Sequence, residues 1–114
     1  MTAYAIAHLQ PEGPPNSEVI DYIDGMQSTM DPFGGRFLVH VAQHEVLEGE
    51  WPGAIVVLEF PDIEAARAWY ASPDYRKLAP LRTRNIAGAV VLVDGVAPGY
   101  DPRATAAALR AAVV

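Results

Sequence analysis

The side chains best suited to proton transfer in this sequence are histidines, and all three lie in segments that alternate like β-strands. An imidazole gains or loses its proton near neutral pH, so His8 or His40 could act as a general base. Arg36 could bind a carboxylate or a developing oxyanion, and Glu59 could orient a histidine. These residue types predict acid–base chemistry, with His40, His8 and Arg36 as the candidate catalytic residues.

The alternation along each strand decides whether these groups could meet, because every second side chain lies on the same face of a sheet. In the second predicted strand, one face comprises Arg36, Leu38, His40, Ala42 and His44, and the other comprises Phe37, Val39 and Val41. We expect the polar faces of three strands to point away from the helices, toward a cavity or interface formed with a second subunit. They would bring together Tyr4, His8, Arg36, His40 and Glu59. Of these, Tyr4 and Glu59 are candidate ligand-binding residues.

A purely structural interpretation of the same residues stays open. Arg36 and Glu59 could form an ion pair at the interface between two copies of the chain, with the histidines solvated or hydrogen-bonded there. The two interpretations differ in whether the groups share a pocket. Side chains that point to opposite faces of the sheet would exclude the shared pocket.

A second set of candidates comes from the predicted helices and one loop. Trp69 and Tyr75 could line a pocket for an apolar or aromatic ligand, although an aromatic residue at helical spacing is more often core, as we expect for Trp69. Tyr75, in the first turn of its helix, has a hydroxyl that could meet a ligand or Arg82 on a similar helical face, and Arg82 is itself a candidate ligand-binding residue. Glu48, in a predicted hairpin loop, is a further ligand-binding candidate because loops carry function.

The sequence predicts neither a metal nor a cofactor. His40 and His44 are four residues apart on an extended strand, roughly 13 Å at about 3.3 Å per residue, which is too far to share one ion. The chain has no cysteine, so it offers no thiolate ligand or cysteine nucleophile. It also has no glycine-rich phosphate loop. A lone histidine could still ligate haem iron, which the sequence does not decide.

Length and charge narrow the expected partners. The 114 residues fit one domain. A net charge of −6 lacks the basic excess that phosphate neutralisation requires, so neither nucleic acid nor an anionic membrane is an expected partner. No stretch approaches the roughly twenty apolar residues of a membrane span, and no basic segment precedes the first apolar run. We therefore expect a cytoplasmic protein that meets a small molecule or another protein.

Apolar periodicity and turn residues predict the order strand, helix, strand, strand, helix, strand. This is the ferredoxin-like order of an α+β domain with a four-stranded antiparallel sheet. The predicted strands cover residues 4–9, 36–47, 54–60 and 86–93, and the helices run from Asn16 or Ser17 to before Pro32, from Asp62 through Tyr70, and from Ser72 to about Arg84. Pro80 should kink or shorten the last helix.

A change in character divides the chain near residue 98. We assign residues 1–97 to the ferredoxin-like domain and residues 98–114 to an appended C-terminal helical tail. Asp101 and Pro102 are a cap and a start for an alanine-rich helix. An isolated helix of this length is marginal in water, so it would dock on a partner subunit or fray.

Four motifs carry a resemblance to a known family. They are Gly34-Gly35-Arg36-Phe37-Leu38-Val39, Leu47-Glu48-Gly49-Glu50-Trp51, Leu58-Glu59-Phe60-Pro61 and Ala68-Trp69-Tyr70-Ala71-Ser72-Pro73-Asp74-Tyr75. From about Tyr4 to Val96 the chain resembles the family called domain of unknown function 1330. The resemblance implies a ferredoxin-like fold of the dimeric α+β barrel group, in which two sheets face one another, and it implies no established reaction. Cofactor-free monooxygenases, haem-degrading enzymes and lactone isomerases share that architecture, which is an analogy of fold alone.

The residues and the resemblance together predict a homodimer, joined through its sheet faces, that handles a small organic molecule. As an enzyme it would perform cofactor-independent acid–base or oxygen chemistry on a small organic acid or aromatic compound, with His40 or His8 as base and Arg36 stabilising an anion. The alternative is a non-catalytic homodimeric ligand-binding or protein-interaction module. In that case the polar residues hold the interface together and the tail helix is a docking element.

Overall fold

The order of strands and helices agrees with the order predicted from the sequence. The computed structural model describes residues 1–113. Its elements are β1 (Ala3–Gln10), α1 (Ser17–Met30), a 3₁₀ turn (Asp31–Phe33), β2 (Arg36–His40), β3 (Ala54–Phe60), α2 (Ile63–Ala71), α3 (Pro73–Thr83), β4 (Ala87–Asp94) and α4 (Pro102–Ala112). The strands form one antiparallel sheet in the order β2-β3-β1-β4. The α+β, ferredoxin-like fold class is confirmed.

The first three helices begin at the polar residues that the sequence marks as caps. The side chain of Asn16 accepts a hydrogen bond from the third residue of α1, and Asp62 does the same for α2, at 3.0 and 2.8 Å. Ser72 accepts from the backbone of α3 at 3.3 Å. Each cap satisfies an N–H group that has no partner inside its helix, so the starts of these helices are fixed by local chemistry.

Pro80 lies inside α3 without shortening it, because the helix continues to Thr83. The missing N–H of Pro80 removes one backbone hydrogen bond from the helix. The flanking residues Ala79 and Arg82 are both buried, so packing on either side of the proline offsets that loss. The helix keeps its regular hydrogen bonding beyond Pro80 in the bond from Arg84 to the Pro80 carbonyl, at 3.0 Å.

The hydrophobic core lies between the helices and one face of the sheet. Its largest fully buried side chains are Trp69, Tyr75, Phe60 and Met30. Trp69 is 2% exposed, which confirms the expectation that it belongs to the core. Its indole N–H donates to the Thr29 hydroxyl at 3.0 Å, so the buried polar atom of the ring is satisfied.

The opposite face of the sheet has no helix over it, and we call it the open face. The pairing registers place one set of side chains there from the three longer strands. This set comprises Tyr4, Ile6, His8, Ile55, Val57, Glu59, Ala89, Val91 and Val93. Val91 and Val93 are largely exposed, so an apolar sheet surface faces solvent in the single chain.

Strand β2 is shorter than predicted: it ends at His40 instead of extending to Leu47. The next residue, Val41, has a positive φ of 47°, which is rare for a β-branched residue and turns the chain out of the extended conformation. Its N–H still bonds to the Ile55 carbonyl at 3.0 Å. Beyond it, the chain leaves the sheet as an exposed loop up to Gly53.

Strand β2 also contains an irregularity that reverses its faces. Arg36 lies opposite Glu59 and Phe37 opposite Leu58, but the next pair is Val39 with Val57, so Leu38 is an extra residue. Such a bulge shifts the alternation of the strand by one. Val39 therefore shares the face of Arg36, and His40 shares the face of Phe37.

The last helix, α4, begins after Asp101, as predicted, and the side chain of Asp101 accepts from the Arg103 N–H at 2.9 Å. All residues of α4 are exposed. Within residues 1–113, no helix has both the length and the apolar composition required to cross a membrane.

Candidate functional site

On the open face, Arg36 and Glu59 form an ion pair. The Arg36 Nε donates to the Glu59 Oε1 at 2.9 Å, and a terminal guanidinium nitrogen lies at the same distance. The two residues are cross-strand neighbours, which is why the pair forms within one subunit. This is the ion pair of the structural interpretation, although here its two members come from the same chain.

His8 also lies on the open face, where the loop before β3 covers it. Its ring packs against Trp51 with centroids 4.8 Å apart, and its Nε2 donates to the Pro52 carbonyl. Tyr4 lies on the same face, opposite Glu59 in the register. Glu48 lies in the exposed loop. The open face thus brings together Tyr4, His8, Arg36 and Glu59, without Glu48.

His40 does not join them, so the prediction that five polar groups share one face is wrong. The bulge at Leu38 turns the His40 side chain to the helix side of the sheet, where its ring lies 4.8 Å from that of Phe37. Because the side chains of His8 and His40 point to opposite faces of the sheet, a pocket shared by the two within one subunit is excluded.

His40 instead lines a cavity between the sheet and helices α1 and α3. The cavity has a volume of about 330 Å³. Its walls are mainly apolar and include Ala5, Leu9, Met26, Val56, Leu58 and Trp69. Its polar and charged side chains are Glu12, Asn16, Tyr22, His40, Tyr75, Arg82 and Asn85. Sites for small molecules commonly combine an apolar lining with a few placed polar groups.

Three of these polar residues are buried and define the closed end of the cavity. Tyr22, Tyr75 and Arg82 are all less than one-tenth exposed. The Tyr22 and Tyr75 hydroxyls are hydrogen-bonded at 2.9 Å, and the two rings meet edge to face. The Tyr75 hydroxyl therefore has a partner within the chain, Tyr22 of α1, and is closed to bulk solvent. The structure nevertheless places Trp69, Tyr75 and Arg82 around one cavity.

Burial raises the pKa of Tyr22 far above its usual range, and the neighbouring Tyr75 hydroxyl adds to the effect. The positive charge of Arg82 acts in the opposite direction on the same pKa. Tyr75 and Arg82 influence the pKa of Tyr22 only because both are close to its hydroxyl, so Arg82 lies beside the tyrosine pair. At neutral pH the Tyr22 hydroxyl keeps its proton and remains a hydrogen-bond donor.

Tyr22 is the residue of this cavity that the sequence analysis missed. It lies three residues after Val19 and four before Met26, and all three are buried on one side of α1. That spacing is the signal of an inward-facing helical stripe. The more apolar Ile23 has a similar spacing, yet it is substantially exposed.

The open side of the cavity lies between the β1–α1 connection and the end of β2. Apart from Ile23 of α1, the exposed residues of the lining come from these two segments, with residues 11–16 on one side and His40 and Val41 on the other. Beside this loop, Asn16 donates to Asn85 at 2.7 Å, and Asn85 donates to Glu18 at 3.0 Å. Arg84 forms an ion pair with Glu18. These contacts connect the start of α1 with the end of α3.

Residues 1–113 contain no group of three or more histidine, aspartate or glutamate side chains arranged to hold a metal ion. The absence of a cofactor stays a prediction.

Comparison with protein families identifies the chain. The model of the family described as domain of unknown function (DUF1330) matches residues 2–96. The chain belongs to this family. The match includes the whole sheet, the cavity and its polar residues, and it ends before α4. No curated protein matches the chain.

Solved structures similar to this DUF1330 chain agree with its fold. A dimeric ferredoxin-like protein of unknown function from Jannaschia sp. CCS1 has a TM-score of 0.65 at 14% identity, covering 83% of this chain and 100% of that one. A protein of unknown function from Rhodopseudomonas palustris has a TM-score of 0.64 at 13% identity, covering 85% and 84%. SnoaB, a cofactor-independent oxygenase from Streptomyces nogalater, has a TM-score of 0.60 at 14% identity, covering 88% and 98%. At these identities the likeness is one of fold.

Proposed function

We propose that each subunit of this protein takes up one small organic molecule in the cavity below the sheet. The observation that carries the proposal is the cavity itself, with about 330 Å³ of space, apolar walls and a small polar set. Sites for small ligands have about 300–1,000 Å³ and this kind of lining. A small organic acid or an aromatic compound suits such a site in size and polarity.

In this proposal, two subunits form a dimer through the open faces of their sheets. Val91 and Val93 leave an apolar surface exposed on that face, and burying it against a second copy removes it from water. Two similar structures of ferredoxin-like fold are described as dimeric, which supports the pairing. We place the dimer in the cytoplasm, with residues 1–97 as its domain and residues 98–114 as a separate tail.

The reaction that best suits the cavity is cofactor-independent acid–base or oxygen chemistry. His40 lies at the open side of the cavity, where an imidazole can exchange protons with both solvent and a bound ligand. The fold it shares with SnoaB, a cofactor-independent oxygenase, supports this class by analogy alone. His8 and Arg36 stay candidates only for a site between subunits, because they lie on the open face.

A thermal-shift screen against small carboxylates, phenols and lactones identifies ligands, since a compound that binds the folded state raises its melting temperature. Each hit is then assayed in air for turnover and for affinity. We expect His40→Ala to lose at least tenfold in turnover with little change in affinity or in dimerisation. The matched change His8→Ala, on the other face, should keep both. Ala7→Phe, which fills the cavity, should abolish binding.

A non-catalytic ligand-binding or interaction module is the second candidate, favoured by the complete exposure of α4. Binding without turnover in the wild type would support it. So would loss of the dimer in His40→Ala, because that result makes His40 an interface residue. Binding that survives Ala7→Phe would contradict the cavity as the site.

A further inference from the structure

Arg82 is a buried charge that lines the cavity. It is 6% exposed, and its Nε is buried without a hydrogen-bond partner. An uncompensated charge in a protein interior costs several kcal/mol in general, which is why buried arginines are normally paired. A group that is left without a partner in an otherwise satisfied interior requires a specific explanation.

No carboxylate side chain within residues 1–113 supplies that partner. The four ion pairs within residues 1–113 involve Arg36, Arg67, Arg84 and Arg103. Glu12 contributes to the cavity lining, but it lies on the exposed β1–α1 connection and forms none of these pairs. The carbonyl groups at the end of α3 offer Arg82 a partial negative charge, equivalent to about half an elementary charge, which compensates only part of a full positive one.

The Tyr22 hydroxyl offers Arg82 a hydrogen-bond acceptor, but neither neighbouring tyrosine offers it a negative charge. Of the two hydroxyls that meet at 2.9 Å, one donates and the other accepts, and the acceptor keeps its own proton. Since the pKa of Tyr22 is raised, neither the burial nor the pairing generates a phenolate. The closed end of the cavity therefore presents a guanidinium and a hydroxyl proton with no anion opposite them.

We propose that the ligand of this cavity is an organic carboxylate, bound with its carboxylate against Arg82 and the Tyr22–Tyr75 pair and its apolar body along the β3 side chains Val56 and Leu58. A carboxylate matches the planar donor fork of arginine, and charge-assisted hydrogen bonds are the strong ones in such sites. This inference rests on the proposed function, because it names the class of molecule that the cavity takes.

The test uses two probes of nearly equal shape, 2-naphthoate and its neutral analogue 2-naphthamide, in titration calorimetry at pH 7.5. We expect the wild type to bind the anion at least tenfold more tightly than the amide. The net charge of the chain is −6, so general attraction of anions does not explain such a preference. Arg82→Met should abolish the preference, and the control Arg67→Met, which removes an exposed arginine, should retain it.

The possible results separate this inference from the proposed function. If neither probe binds the wild type, both the cavity as a binding site and the carboxylate are refuted. Equal binding of the two probes leaves the cavity in place and overturns the anionic class. An equal loss in Arg67→Met and Arg82→Met also overturns it, because the effect then comes from overall charge. If Arg82→Met does not fold, the comparison of the two probes in the wild type still decides.

Stability without ligand provides a second readout. Replacing an unpaired buried charge with an apolar side chain of similar length is commonly neutral or stabilising. We expect the melting temperature of ligand-free Arg82→Met to be equal to that of the wild type or a few degrees higher. A clear fall would mean that contacts within the chain compensate part of the charge, and the preference of the wild type for the anion over the amide would then decide alone.

Discussion

The arginines on the two sides of the sheet differ in burial and in pairing. On the open face, Arg36 is mostly exposed and bonded to Glu59, whereas on the cavity side Arg82 is buried and its Nε has no partner. An exposed ion pair contributes about 0–1 kcal/mol, and a buried unpaired charge destabilises by more than that. The open face thus pairs its arginine with a carboxylate but leaves apolar surface uncovered. The cavity side is covered but lacks one anion. The contrast favours a second copy as the partner of one face and a small anion as the partner of the other.

The largest expected effect on assembly concerns the open face. Val91 on β4 and Ile20 on α1 are both 54% exposed, but only Val91 lies on the sheet surface that we propose as the interface. Val91→Lys should place a charge within the buried centre of the dimer, weakening association by more than about 2 kcal/mol, roughly thirtyfold in dissociation constant. Light scattering over a concentration series measures the change.

Ile20→Lys is the matched control, since it makes the same kind of change at the same exposure on the other side of the molecule. It should leave the dimer intact. A Val91→Lys protein that stays as dimeric as Ile20→Lys would show that the open face is not the interface. In that case the apolar surface of the sheet would require another partner.

The largest expected effect on folding stability distinguishes the two tryptophans. Trp69 is 2% exposed below the sheet, whereas Trp51 is 41% exposed and packs on His8 across the open face. Trp69→Ala should reduce the free energy of unfolding by about 3–5 kcal/mol because it leaves a core cavity. Trp51→Ala should cost about 1 kcal/mol, the scale of an aromatic contact. Urea denaturation of both variants in a Val91→Lys background removes any contribution from the interface; similar losses would contradict the distinction between the faces.

The elements of the fold were predictable because their signals are local. Caps such as Asn16, Asp62 and Ser72 act within three residues, and the apolar alternation of β3 lies within the strand. The two errors in β2 have non-local causes. The positive φ of Val41 ends the strand, and the bulge at Leu38 depends on how β2 pairs with β3. Neither feature has a glycine to mark it in the sequence.

The sequence predicted which residues belong to the candidate site better than it predicted where their side chains lie. Trp69, Tyr75 and Arg82 were singled out on their helices, and they do line one cavity. The position of His40 was wrong because one extra residue reverses the face of every later side chain in a strand. The burial of Arg82 could not be foreseen, since a charged residue near the end of a helix is normally exposed and only the packing of α3 against α1 encloses it.

The smallest expected effect is a change in the pH dependence of the unfolding free energy, caused by a carboxyl group on the cavity side. Glu18 connects the start of α1 with the end of α3, where Asn85 donates to it and Arg84 pairs with it. The hydrogen bond from Asn85, and next the one from Arg84, lower the pKa of Glu18 below its ordinary value of 4.5. A carboxyl whose pKa is lower in the folded state than in the unfolded state stabilises the fold above its unfolded pKa, and this contribution is lost as the pH falls through the folded pKa.

Glu18→Gln should therefore flatten the dependence of unfolding free energy on pH below about 4.5, where the unfolded carboxyl begins to take up protons before the folded one. Asn85→Ala removes the larger cause of the shift and should reproduce part of that flattening. Urea midpoints measured from pH 3 to pH 7 test both variants. An unchanged acid slope in Glu18→Gln would mean that the connection between α1 and α3 adds no pH-dependent stability.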